Sequence, residues 1–189
     1  MRVVQERRAV VPALSPAPRS PRPRTRLLSV AGVAAAVVAA DQSSKTWALH
    51  HTVGGRHVLW TLWFDLTYNS GAAFGIGHGI TPFVEAAVVV AVAAFLIFGR
   101  RAVQRASTPV MLAVGLVLGG AIGNLADRVF RHLPHNPGAV VDFIAAARVG
   151  QKDWWPVFNV ADSCIVVGVI LLALALRRRP YGGGEGADG

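Results

Sequence analysis

Four apolar runs, at 27–40, about 81–98, about 109–126 and about 157–176, constrain this chain more than any other feature. Residues are 53% hydrophobic and only 15% charged, too little polar surface for a water-soluble domain of 189 residues. The chain therefore reads as a membrane protein. The first run has 14 residues. At about 1.5 Å per helical residue it covers roughly 21 Å, short of a hydrocarbon core of about 30 Å. It spans only if the helix continues through "DQSSKTWAL" to residue 49.

A cleaved signal peptide is the rival reading of that run. A basic region precedes it, and Val38 and Ala40 stand at suitable −3 and −1 positions. Residues 1–26, with seven arginines and five prolines, read as a disordered basic arm, and 177–189 as a flexible tail. The 27–176 region between them forms the membrane domain. The formal net charge of +9 raises nucleic acid as a partner, but the arginines cluster at the ends of apolar runs, not along a groove-reading face. With four spans, the arm, "GRRAVQR" and Arg177–Arg179 all fall on one side, which is cytoplasmic by the positive-inside rule. Both termini are then inside, and the loops at about 50–80 and 127–156 face outward.

Within the runs, Gly115, Gly119 and Gly123 recur every four residues and leave one helix face open for close packing. The stretch "LWTLWFDLTYNSGAAFGIG" predicts one or two short strands at the membrane surface. Trp60, Trp63, Trp154 and Trp155 suit an interfacial belt. Cys164 has no partner for a disulfide and reads as a small packed hydrophobe.

Ionisable groups in spanning segments are costly and usually mark function. Asp41 and Lys45 are four apart on one helix face. Asn124, Asp127 and Arg128 close the third run, Asp142 lies in "AVVDFI", and Asn159 and Asp162 open the fourth, with Asp162 expected about a turn and a half inside its helix. All sort to the outer half of the membrane; Glu85 joins them by position, though a snorkelling or interfacial role suits it better. Two carboxylates close together in low dielectric cannot both ionise cheaply, which suits general acid/base hydrolysis of an amide. Hard oxygen ligands would also suit magnesium or calcium. HExxH, G-x-S-x-G and a phosphate loop with its lysine do not occur. A carboxylate-dyad hydrolase and a small proton-coupled transporter using intramembrane aspartates remain, beside a purely structural membrane protein.

Five blocks now carry a resemblance: "DQSSK" at 41–45, "YNSGAAFGI" at 68–76, "GGAIGNLADR" at 119–128, "VVDFI" at 140–144 and "FNVAD" at 158–162. In this order and at these distances the chain resembles the lipoprotein signal peptidases, or signal peptidase II, which are bacterial membrane aspartic peptidases. The resemblance implies an all-α membrane protein of four transmembrane helices with a small extracytoplasmic β-sheet cradle. It implies that Asp142 and Asp162 form the catalytic dyad, and that Asp41, Lys45, Asn69, Gly71, Asn124, Asp127, Arg128 and Asn159 support it or contact substrate. It implies a diacylglyceryl-modified prolipoprotein as substrate, cut just before the modified cysteine. Membrane lipids are the other implied partner, with no metal, no organic cofactor and no nucleic acid. The location implied is the bacterial cytoplasmic (inner) membrane, with the site near its outer face. Asp41, inside a motif of the mature enzyme, weighs against the cleaved-peptide reading. Two features depart from the family pattern: the long arm and the extended loop at 129–139, "VFRHLPHNPGA".

Overall fold

The computed structural model describes residues 23–71, 95, 97, 99, 103–131, 133, 136–149 and 152–177. Among the described residues are three long helices, further helical positions between 95 and 105, a three-stranded sheet and a small hairpin. Helix α1 (Pro23–His51) runs without a break through the polar "DQSSK" block. It therefore begins four residues before the expected boundary at 27 and reaches past residue 49. Pro23 opens it, where a missing N–H costs nothing. Helix α2 (Thr108–Phe130) also begins with a proline, Pro109, in its first turn. Both α1 and α2 are long and apolar enough to cross a membrane, and helix α3 (Val160–Arg177) is a shorter apolar helix.

Helix α2 lies between the other two, and adjacent glycines serve the two contacts. A Cβ on Gly119 would stand 2.8 Å from the Ala34 carbonyl oxygen of α1, and one on Gly120 would stand 2.5 Å from the Ala161 carbonyl oxygen of α3. Only hydrogen fits either gap, so backbones approach as small-residue packing in membranes requires. Gly115 faces Val33, and Gly123 faces the Asp41 carboxylate, so the expected glycine face meets α1 along its length. Near the other end of α1, Arg26 donates to the carbonyls of Gln104 and Ala106.

The outer segments form a three-stranded antiparallel sheet in the order β1 (Arg56–Leu59), β2 (Leu62–Asn69), β3 (Val140–Ala145). The first two strands lie where the alternating aromatic stretch predicted them. The third is the "VVDFI" run, buried along nearly its whole length. Register pairs Thr67 with Asp142 and Asn69 with Val140. A two-residue hairpin, β4 (Arg148–Val149) with β5 (Lys152–Asp153), leads from β3 toward α3. Phe158 bridges back to Ile144, returning the chain to β3 just before α3 starts. Of the belt tryptophans, Trp60, Trp154 and Trp155 are exposed.

One expectation is corrected. Helix α3 starts at Val160, so Asp162 lies in its first turn, not a turn and a half inside. Asn159 stands just before it, where a side-chain oxygen can cap free N–H groups, and this sets the helix start. Residues 81–94, including Glu85, lie outside the described residues, as do the arm to residue 22 and the tail from 178.

Candidate active site

The polar cluster forms where the C-terminal half of α1, the end of α2, β3 and the first turn of α3 converge. On α1, Asp41 and Lys45 are fully buried and their charged atoms are 2.8 Å apart. Lys45 Nζ is also 3.1 Å from Asp127 Oδ2 and donates to Asn124 Oδ1 at 2.9 Å. Its three protons thus match three acceptors. Asp41 Oδ1 in turn accepts the Ala161 N–H, tying α1 to the start of α3. Asp127 accepts from the Arg131 Nε, the Gln42 side-chain amide and the Val141 N–H. Two carboxylates and two cations balance, which is what makes so buried a set of charges tolerable.

Two asparagines connect this charged base to two further carboxylates. The Lys45 bond holds Asn124 with its oxygen toward the lysine, so its amide nitrogen faces outward and donates to Asp162 Oδ1 at 2.8 Å. Asn159 donates to Asp142 Oδ1 at 2.6 Å and to Asn124 Oδ1 at 3.1 Å. At the same time Asn159 Oδ1 accepts the Asp162 N–H, and the Asp162 carboxylate accepts the Asn159 N–H. This reciprocal pair is a capping box with asparagine and aspartate in the two roles. The Asp162 side chain is therefore placed by the same contacts that start its helix.

Asp142 is held from the other side by the Asn69 amide of β2, at 3.1 Å. Asn69 Oδ1 accepts the Gly71 N–H, and Arg128 donates to the carbonyls of Gly71 and Gly138. Arg128 thus fastens the end of β2 to the turn before β3. Burial raises the Asp142 carboxyl from its ordinary value of 3.8 to about 7, with the Asp162 charge adding to the rise. Hydrogen bonds from Asn69 and Asn159 oppose it without cancelling it. A carboxyl with that affinity holds or gives up a proton near neutrality, as general acid/base chemistry requires.

All ten residues that the resemblance marks for the site fall within this one network. Two members were not singled out. Gln42 donates to Asp41, Asp127 and the Gly123 carbonyl, and Arg131 donates to Asp127 and to Gln42 Oε1. Arg131 had a signal, since it follows Asp127 by four residues on one helix line. Gln42 had only its place in the "DQSSK" block. A cleft of about 280 Å³, lined by Trp155, Phe158, Asp162, Ser163, Val166 and Val167, opens beside this network.

A family model described as signal peptidase (SPase) II matches residues 33–178. The chain belongs to the signal peptidase II family. The lipoprotein signal peptidase of Mycobacterium leprae is 38% identical over 169 residues, covering 88% of this chain and 79% of that protein. That of Rhodococcus jostii is 40% identical over 162 residues, covering 84% and 77%. A bacterial membrane enzyme solved at 2.3 Å resolution by the in meso method superposes with a TM-score of 0.63 at 29% identity, covering 88% of this chain and 95% of that one. These likenesses to signal peptidase II lend nothing to the transporter reading.

Proposed function

We propose that Asp142 and Asp162 are the catalytic dyad with which this chain cleaves prolipoproteins just before a diacylglyceryl-modified cysteine. Membership in signal peptidase II makes it an aspartic peptidase that removes signal peptides from prolipoproteins. The observation that carries the residue assignment is the asparagine bridge. Asn159 binds Asp142 and caps Asp162, and Asn124 binds both Asn159 and Asp162. Asp127 and Asp41 are instead committed to Lys45. In the proposed reaction the dyad carries one proton. The ionised carboxyl takes a proton from water as the water oxygen bonds to the scissile carbonyl carbon, while the protonated carboxyl gives its proton to the carbonyl oxygen. Collapse of the tetrahedral intermediate breaks the C–N bond: the leaving nitrogen takes a proton from the protonated carboxyl while one hydroxyl of the intermediate returns its proton to the other carboxylate, so the dyad again carries one proton.

In this reading residues 27–176 form a membrane domain of four spans, with a basic cytoplasmic arm at 1–26 and a cytoplasmic tail at 177–189. The arginine clusters and the lengths of α1 and α2 support it. The site then lies at the outer face of the inner membrane. There, acyl chains remote from the reacting bond position it by their own binding energy. Eight supporting residues fall into two groups: Asp41, Lys45 and Asp127 anchor Asn124, while Asn69, Gly71, Arg128 and Asn159 hold Asp142.

The test is turnover of a lipidated precursor by purified protein, followed by gel shift. Cleavage is expected for the diacylglyceryl form and very little for the form with an unmodified cysteine. Equal turnover of both would reject the lipid requirement and leave the dyad standing. A reporter active only in the cytoplasm should give signal at the C-terminus and none near Pro137.

A further inference from the structure

The segment at 146–159 joins the strand bearing Asp142 to the helix bearing Asp162. Its far end is anchored by backbone bonds, since Phe158 exchanges hydrogen bonds with Ile144 at 2.8 and 3.1 Å. Its middle is held by a few backbone bonds and by the Arg148 side chain, which reaches both β5 and β2. Arg148 donates to both oxygens of Asp153, from Nε at 2.6 Å and from its terminal nitrogen at 2.7 Å, in the planar two-pronged geometry that favours arginine. The other terminal nitrogen is 2.6 Å from Asp65 Oδ2 on β2, and the guanidinium lies 5.9 Å from the Trp63 ring centroid. The Arg148 N–H donates to the Thr61 carbonyl, and the Trp154 N–H to the Ala147 carbonyl. Two residues beyond Asp153, Trp155 forms one wall of the cleft whose other residues include Asp162 and Val166.

We propose that Arg148 is a positioning residue for substrate: by pinning β5 to β2 it sets Trp155 as the wall of the apolar cleft beside Asp162, where the apolar part of the substrate next to the scissile bond lies. The inference rests on the peptidase reading of that site. Arg148 touches neither carboxylate of the dyad. Its loss therefore loosens the cleft wall and weakens substrate binding, while the asparagine bridge that orders the reacting groups stays in place.

Full-length purified protein carrying Arg148→Ala, Arg148→Lys, Trp155→Ala or Arg148→Ala with Trp155→Ala should be compared with wild type on a lipidated precursor. Arg148→Ala should raise KM about fivefold to tenfold with kcat within about twofold, and Trp155→Ala should do the same. The double variant should be no worse than Trp155→Ala alone, because the arginine acts through the tryptophan. Arg148→Lys keeps the charge without the two-pronged geometry and should fall between. Amide hydrogen exchange gives a readout independent of turnover: Arg148→Ala should speed exchange at 147–155 and leave β3 unchanged. An equal fall in kcat, additive effects, or unchanged exchange at 147–155 overturns the proposal. If wild type cleaves no lipidated precursor, the peptidase reading of the site fails and the substrate role of Arg148 with it. Faster exchange would then show only the pin.

Discussion

Asn159 donates its side-chain amide to Asp142 across 2.6 Å while its side-chain oxygen accepts the Asp162 N–H at 2.9 Å. One buried amide thus serves a strand carboxylate and a helix start together. Asn159→Ala should remove the cap, worth about 1 kcal/mol, and leave Asp142 without one of its two donors. Turnover of a lipidated precursor is expected to fall at least a hundredfold, with only a modest loss of thermal stability. Near-normal turnover in the folded variant would show that the bridge is not needed to order the pair.

Asp142→Asn and Asp162→Asn should each abolish cleavage, and the double variant should be no worse than either single. Two carboxyls sharing a proton act as a unit, and such units are not additive. Thermal unfolding must be measured beside turnover. If either variant folds and keeps more than about a tenth of the wild-type rate, the dyad assignment is wrong.

Stability should depend on pH through Asp142. Its folded carboxyl binds a proton more tightly than the unfolded one, about 7 against 3.8. Between these values the folded state holds the extra proton, so this contribution is fully present below about pH 4 and is lost as pH rises through about 7. The span corresponds to something on the order of 4 kcal/mol. Asp142→Asn has no such proton to lose. Its melting temperature relative to wild type should therefore be higher at pH 8 than at pH 4.5, and a difference that does not change with pH would contradict the burial argument. Cleavage by wild type should likewise decline above about pH 7, as the pair loses its shared proton.

Lys45→Met should be among the most damaging single changes. It leaves the buried Asp41 carboxylate without a cation and Asp127 with Arg131 alone, and frees the Asn124 amide to turn. Breaking a buried pair in this way costs about 3–5 kcal/mol. Asp127→Asn should also destabilise strongly, since it loses the charge facing Lys45 and Arg131. Detergent-solubilised yield and melting temperature check both, and a drop in turnover at unchanged stability would argue for a direct chemical role instead.

Gly120→Ala tests how closely α2 and α3 must approach. The added methyl would meet the Ala161 carbonyl oxygen at 2.5 Å, a backbone atom that can retreat only if the start of α3 moves. Because Asn159 and Asp162 ride on that start, turnover should fall more than tenfold. Gly32→Ala, with nothing within 4 Å of the added methyl, should leave turnover unchanged. Equal activity of the two variants would show that the helix start tolerates displacement.

Much of the fold was legible because membrane-spanning segments are written in long apolar runs, and the glycine spacing already marked the α2 face that meets α1. The sheet was legible only in its first hairpin. Strand β3 is a short apolar run whose pairing with β2 depends on residues about seventy positions away. The depth of Asp162 was misjudged because hydropathy marks where an apolar run begins, whereas the helix begins where Asn159 can cap it.

The residue types of the site and their gathering at one end of the bundle were determined by the sequence alone, since a buried ionisable group has to be specified residue by residue. Which long-range donors each acid meets was decided only by the tertiary structure. Asp41, Asp127, Asp142 and Asp162 are alike as letters. Asp41 meets Lys45 within one turn of α1, and the close approach of α2 adds Asp127 to the same lysine, while the β2–β3 register and the approach of α3 at Gly120 bring the last two to Asn124 and Asn159. Apart from Asp41–Lys45, those pairings join residues far apart in the chain, so no local pattern records them. They follow from packing, which gives each of these carboxylates its donors.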